Sequence, residues 1–178
     1  RFNLSKQLET VYSRKVTLPS GGELVFDQTE ALMAVDINSG KIGGESNFKE
    51  MALKTNLEAA QEIAQQLRLR DVGGQVVIDF IELKEHKHCR EVEKALRNAL
   101  KEDKARTTVG KISRFGLLEM VRQRMGSSAL STTWQDCSAC QGSGYVRSLE
   151  WRALQALKDI NRQAQSKKCS NALEYTVD

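Results

Sequence analysis

The chain has 178 residues, 40% hydrophobic and 28% charged, which suffices for one domain with a sizeable core and a small appendage. No run approaches the roughly 18 apolar residues of a membrane-spanning helix, and the opening RFNLSKQLET does not read as a signal peptide. A net charge of +4 and a pI near 8.9 suit a polyanionic partner, whereas an aromatic content of 6% makes base stacking no obvious theme.

Residues 14 to 38 read as three β segments. RKVTL is closed by the turn signal PSGG, ELVFD follows, and ALMAVDI comes after QTE, a pattern that predicts a small antiparallel unit. GKIGGES reads as a Gly-rich loop. From about 48 to 70, Phe48, Met51, Ala52, Ala59, Ala60, Ile63, Ala64 and Leu67 recur at helical spacing. Asn47 and Glu50 are placed as a capping box, and Gly73 or Gly74 can take the left-handed conformation that ends a helix.

QVVIDFIEL, 75 to 83, is a second apolar strand carrying an Asp. CREVEKALRNALKEDKAR is an amphipathic helix with Val92, Leu96, Ala99 and Leu100 on its buried stripe; TTVGKI is a short strand and FGLLEMVRQRM a short helix. GSSALSTTWQD reads as a linker, CSACQGSG as a knuckle, and a last helix covers about 148 to 165 before the polar SKKCSN. Strands alternating with helices after an antiparallel start predict an α/β fold with an α+β-like beginning. Its core is a mixed β-sheet with packed helices, followed by the CxxC knuckle and a C-terminal helix. The chain starts at Arg1 and stops at ALEYTVD, which reads as the start of a strand, so a piece of a longer protein is expected.

Asp36 and Asp79 share a setting: each follows four or five apolar residues near the C-terminal end of a predicted strand. Open α/β sheets place ligands beyond the carboxyl ends of their strands. If the two strands are neighbours, both carboxylates project from one edge, where they repel unless a cation lies between them or one holds a proton. Mg²⁺ suits such a pair, since it prefers oxygen ligands, keeps several waters and commonly uses one or two carboxylates with a substrate phosphate. Asn38, at i+2 from Asp36, lies on the same strand face and can orient a carboxylate or meet a phosphate oxygen. The alternative is structural: one Asp a cap, the other a satisfied surface group.

The cysteines stand at 89, 137, 140 and 169, with one closely spaced pair. This usage favours a reduced, cytoplasmic setting over a disulfide scaffold. Cys137-x-x-Cys140, followed by Gly142 and Gly144, allows two thiolates to hold one Zn²⁺. Structural zinc wants four ligands. His86, His88 and Cys89 of HKHC or Cys169 could complete the set, or a second copy of the chain could; a free or redox-active thiol pair is the alternative. Arg68, Arg70, Arg106, Lys111, Arg114, Arg122 and Arg124 are candidate phosphate contacts, though charges on helices are commonly just solvated. Arg106 and Arg114 stand out because each flanks a short strand or helix start that could face the edge holding Asp36 and Asp79.

LPSGGELVFDQTEALMAVDINSG, TNLEAAQEIAQQLRLRDVGGQVVIDFIEL, ARTTVGKISRFGLLEMVRQRM and CSACQGSG together resemble the ribonuclease E/G family, nearly unbroken from about 14 to 147. The resemblance implies an endoribonuclease that cuts single-stranded, A/U-rich RNA in RNA processing and decay. It assigns the catalytic Mg²⁺, for which Mn²⁺ can substitute, to Asp36 and Asp79, gives Asn38 a supporting role, and places Arg106 close to the site. Lys111, Arg114, Arg122 and Arg124 are then expected to touch RNA. Cys137 and Cys140 are similar to the family's zinc link, in which two protomers each give two cysteines to a shared Zn²⁺, so a homodimer or tetramer of the full protein is implied; Ser138 stands where the family commonly has Pro. The implied division is 1 to 11 as the tail of a preceding subdomain, 12 to 133 as a catalytic DNase-I-like subdomain, 134 to 146 as the zinc link, and 147 to 178 as the start of a truncated small domain. The family's S1 barrel and its pocket for an RNA 5′-monophosphate are not in these residues.

The mechanism so implied is hydrolysis at phosphorus, with Mg²⁺ polarising a non-bridging oxygen and positioning the attacking water, giving 5′-phosphate and 3′-hydroxyl ends. A metal-free route through the 2′-hydroxyl would leave a cyclic phosphate. Two further readings use the same residues: a non-catalytic zinc-linked module that holds RNA or a partner, and a Mg²⁺-dependent phosphatase or DNase.

Overall fold

A computed structural model describes residues 11–40, 48–126, 135 and 137–165. They fall into two units, Arg1–Trp134 and Gln135–Asp178, each taken by itself.

In the first unit, period-2 alternation makes β1 (Lys15–Thr17), β2 (Glu23–Gln28) and β3 (Leu32–Asn38), an antiparallel meander as expected. The β1–β2 turn closes through the Leu18 N–H to the Gly22 carbonyl at 2.8 Å and the Gly21 N–H to the Leu18 carbonyl at 2.9 Å. Helix α1 (Phe48–Leu69) then returns the chain so that β4 (Gly74–Asp79) lies parallel to β3. Parallel neighbours need such a crossover. Helix α2 (His86–Ala99), β5 (Thr107–Ile112) and β6 (Leu117–Arg122) complete a six-stranded mixed sheet of order β1-β2-β3-β4-β6-β5.

The core lies on one face of that sheet. Leu24, Phe26, Met33, Val35, Ile37, Val76, Ile78, Leu118 and Met120 meet Ala59, Ala60, Ile63, Ala64 and Leu67 of α1 and Val92 and Leu96 of α2. On that face the backbones of α1 and α2 run close together. Its end is a Schellman motif: the Val72 N–H reaches the Leu67 carbonyl at 3.0 Å and the Asp71 N–H the Arg68 carbonyl at 3.3 Å. The left-handed residue there is Asp71, φ 49°, rather than a glycine; Gly74, φ 98°, opens β4 instead. The capping box expected at Asn47 lies outside the described residues.

One element differs in kind from its expectation. FGLLEMVRQRM is not a helix: Leu117–Arg122 is a central strand with Leu118, Met120 and Arg122 inward and Glu119 and Val121 outward. Helix preference among ordinary residues spans about 0.7 kcal/mol each, whereas burying Leu118 or Met120 contributes about 1.5–3 kcal/mol each. Burial between β4 and β5 therefore decides. Gly116, φ 84°, makes the turn that feeds the strand.

This strand also buries a charge. The Arg122 side chain is 3% exposed and its Nε lies 2.7 Å from Asp103 Oδ2, with that carboxylate also 3% exposed. Arg122 Nη1 donates to Asp71 Oδ1 at 2.9 Å and to the Val72 carbonyl at 2.8 Å. Burial alone would raise the Asp103 pKa, yet hydrogen bonds from Arg122 and the Ala105 N–H and the Arg122 charge hold it below the ordinary carboxylate range. In the second unit, a turn at Cys137–Cys140 precedes α3 (Leu149–Gln165), where Arg147 stacks over Trp151 with Cζ 3.8 Å from the ring centroid. No helix among the described residues is long and apolar enough to cross a membrane.

Arg122→Leu leaves two carboxylates without their cation, and equilibrium denaturation is expected to show a loss of about 3–5 kcal/mol. Because the folded Asp103 pKa lies below its unfolded value, its contribution is present above about pH 4 and fades as pH falls through the folded pKa. Asp103→Asn is therefore expected to flatten the acid limb of stability against pH.

Candidate active site

Parallel register puts Asp36 directly opposite Asp79, and antiparallel register extends the row to Val25 on one side and Leu117 on the other. In both strands the neighbours one residue away, Val35, Ile37 and Ile78, point into the core, so both aspartates stand on the face turned away from the helices. Register partners on adjacent strands lie roughly 5 Å apart, close enough for two carboxylates to repel strongly. The Asp79 pKa is raised, first by burial and then by the charge of Asp36. Asn38, two residues on, donates from Nδ2 to Asp36 Oδ2 at 2.8 Å, which fixes that carboxylate's orientation.

Backbone anchors hold the end of β4 in place. The Phe80 N–H reaches the Gly116 carbonyl at 3.2 Å. From α1, the fully buried Asn56 accepts from the Ile81 N–H at 3.1 Å and donates to the Ile81 carbonyl at 2.8 Å. This amide satisfies both backbone groups of the second residue past Asp79, where the sheet ladder has ended. A Cβ on Gly116 would sit 3.0 Å from the Phe80 carbonyl oxygen and 3.7 Å from Asp79 Oδ1, so glycine keeps the space beside the carboxylate open. An all-oxygen pair carrying uncompensated negative charge fits a hard divalent cation such as Mg²⁺. Among the described residues no group of three or more His, Cys, Asp or Glu side chains is gathered to hold a metal. A cation here would take most of its ligands from water and substrate, as Mg²⁺ commonly does.

The model of the ribonuclease E/G family matches residues 1–125, a span that contains both aspartates and every strand. The chain belongs to the ribonuclease E/G family. It is 49% identical to ribonuclease E of Haemophilus influenzae over 163 residues, covering 92% of this chain and 17% of that protein. It is 48% identical to ribonuclease E of Escherichia coli K12 over 163 residues, 92% of this chain and 15% of the relative. With ribonuclease G of the same organism the identity is 40% over 161 residues, 90% of this chain and 33% of the relative. The chain thus spans a minor part of the relatives it matches.

Within this family member the predicted basic contacts separate by their place in the fold. Lys111 and Arg114 lie at the β5–β6 end of the sheet nearest Asp79, since Ile112 pairs with Leu118 and Leu117 with Asp79. Arg106 and Arg124 lie at the other end. Thr107 and Gly74 both register with Arg122, and a Cβ on Gly73 would collide with Arg124. The length of β4, roughly 16 Å at about 3.3 Å per residue, separates that end from Asp79. The expectation that Arg106 lies close to the paired aspartates is corrected accordingly: the β5–β6 hairpin runs it to the opposite edge. Arg122 as an RNA contact is corrected too, because its guanidinium is enclosed by Asp103, Asp71 and the Val72 carbonyl. Arg70 is likewise inside, 1% exposed, over the Phe26 ring at 4.3 Å. Arg68 is paired with Glu102 at 3.2 Å.

Asn56 and Gly116 were not among the sequence candidates. Asn56 had a signal, being a polar residue on the stripe of Ala52, Ala59, Ala60 and Ile63; Gly116 had none beyond following Phe115. Phe115 is 71% exposed, with Arg114 Cζ 4.7 Å from its ring centroid.

The Cys137 pKa is lowered, chiefly by backbone hydrogen bonds from Cys140 and Ala139 and then by the Cys140 side chain. Gln141, Gly142 and Gly144 take φ of 50°, 85° and 76°, which folds the backbone back around the pair. Cys89 goes the other way, its pKa raised by burial and then by Glu93. Of HKHC, His88 faces Glu85 at 3.7 Å, and Cys169 lies outside the described residues.

Three outcomes follow from these charges. Asp79→Asn removes a carboxylate whose folded pKa exceeds its unfolded one, a group that increasingly disfavours folding as pH rises from the unfolded value and does so fully above the folded value. The variant's Tm at pH 7 is therefore expected to equal or exceed that of the parent in differential scanning fluorimetry. Millimolar Mg²⁺ or Mn²⁺ is expected to raise the parent's Tm and leave that of Asp79→Asn unmoved. In the metal-free protein, timed alkylation read by mass spectrometry is expected to label Cys137 before Cys89.

Proposed function

We propose that this chain is the catalytic portion of a metal-dependent endoribonuclease that hydrolyses single-stranded, A/U-rich RNA to 5′-phosphate and 3′-hydroxyl ends. The observation that carries this reading is the register of Asp36 against Asp79 at the C-terminal ends of two parallel strands. The relatives' names, ribonuclease E and ribonuclease G, point to RNA as substrate. Two carboxylates side by side weaken their own sheet edge electrostatically, and such an arrangement is retained where something positive is to be held.

Asp36 and Asp79 would hold a divalent cation, which when bound would supply positive charge to the phosphate under attack. Asn38 fixes the Asp36 carboxylate through its Nδ2 hydrogen bond and presents its remaining polar valences to a phosphate oxygen. Asn56 and the Phe80–Gly116 backbone bond keep Asp79 from drifting, so that the separation of the two carboxylates is set before substrate arrives. Lys111 and Arg114 receive the flanking phosphates on the same edge of the sheet. Cys137 and Cys140, the Cys137 thiol already shifted toward thiolate, would give two ligands to a structural Zn²⁺, a second copy supplying the others. The division of the chain after Trp134 supports a catalytic subdomain over 12–133 followed by that link.

The test is cleavage of a 5′-monophosphorylated, A/U-rich single strand at high protein concentration with Mg²⁺ or Mn²⁺, with DNA of the same sequence alongside. Metal-dependent cuts bearing 5′-phosphate are expected, lost on EDTA and reduced at least a hundred-fold by Asp79→Asn, about 2.7 kcal/mol or more of transition-state stabilisation. Cutting that persists in Asp79→Asn, or cyclic-phosphate ends, would overturn the assignment. Silence both here and in a longer chain carrying the preceding family regions would favour a non-catalytic, zinc-linked RNA-holding module.

A further inference from the structure

The turn between β5 and β6 exposes its most apolar residue one position before the glycine that lies against Asp79. Phe115 is 71% exposed, although a free phenyl ring at a turn contributes nothing to the core. The turn beneath it is firmly built. Ser113 N–H meets the Leu117 carbonyl at 2.8 Å, Gly116 N–H meets the Ser113 carbonyl at 3.1 Å, and Phe115 N–H meets Ser113 Oγ at 3.2 Å. The following residue, Gly116, is tied to Phe80 and lies against Asp79. The backbone carrying the ring is thus fixed to the backbone carrying the carboxylate, with one residue between.

The ring also keeps company with a cation, the Arg114 guanidinium with Cζ 4.7 Å from its centroid. A positively charged plane stacked on an exposed aromatic, at the rim of a phosphate-handling site, suits an unpaired nucleobase and its phosphate. Base–aromatic stacking tolerates any base because every base has a π-face, and Arg adds charge on the backbone side. A protein ligand would instead ask for a continuous apolar patch. Within the turn the ring's chain neighbours, Ser113, Arg114 and Gly116, are not apolar.

We propose that Phe115, backed by Arg114, is a stacking platform for an unpaired base of single-stranded RNA next to the phosphate held at Asp36 and Asp79. This rests on the reading of the aspartate pair as a phosphodiester site. The ring positions substrate: holding one base fixes the strand's register across the carboxylates and leaves the bond-breaking chemistry to them.

The experiment reads stacking apart from cutting. A short single-stranded RNA carrying a fluorescent aminopurine, moved along the strand one position at a time, is titrated with the protein in EDTA. Quenching is expected at one or two adjacent positions. Phe115→Ala is expected to abolish that quench and weaken binding about ten-fold, Phe115→Trp to retain both, and Phe115→Leu to behave like Phe115→Ala. The three variants are expected to share the parent's Tm, since the ring is exposed. Absence of quench at every position with the parent protein, an unchanged quench in Phe115→Ala, or recovery by Phe115→Leu as complete as by Phe115→Trp would overturn the platform. If RNA is never cut yet the quench tracks the ring, the platform stands and the nuclease reading falls.

Discussion

Everything at the candidate site follows from the pairing of β3 with β4 in one parallel register. Strand side chains alternate with period 2, so a slip of one residue would carry Asp36 or Asp79 from the open face into the apolar layer and bring a core residue out. The buried partners Met33, Val35, Ile37, Val76 and Ile78 forbid that slip. The hydrophobic core thereby fixes the spacing of two charges that it does not itself touch. Parallel pairing in turn depends on α1, the crossover that carries the chain from the end of β3 back to the start of β4.

Acidic groups at the two ends of β4 have opposite fates, and the contrast separates stability from chemistry. At the Gly74 end, Asp71 and Asp103 close on Arg122, and the Asp103 carboxyl is held below the ordinary range. At the other end Asp79 has Asp36 for a neighbour and is pushed up. The first end is satisfied and enclosed; the second is left electrostatically unfinished on an exposed face. Perturbed carboxylates of this second kind concentrate at functional sites because a bound cation or substrate completes them. Asn56 belongs to both accounts, since it is buried with the core yet positions the strand segment next to Asp79.

The basic residues show why composition alone reads poorly as a binding surface. Lys111 and Arg114 stay on the open edge, while Arg70 and Arg122 are drawn inside as structural cations. Arg106 is carried to the far end by the hairpin. All of these carry the same charge in the sequence. What distinguishes them is the strand direction and the face on which each falls, which depends on the neighbours found by β6.

The sequence by itself determined the antiparallel start, α1, β4, α2 and α3, because apolar residues recur there at helical or strand period. It also determined that two acids end two apolar strands, since nothing in local folding requires a carboxylate there. Only the tertiary structure decided that FGLLEMVRQRM contributes a strand: burial of Leu118 and Met120 between two partners outweighs their modest local preference. That one change moved Arg122 into the core, turned Arg106 away from the aspartates and brought the Arg114–Phe115 turn up against Asp79. Which charges meet is set by long-range strand order and register, and no local window of sequence contains that information.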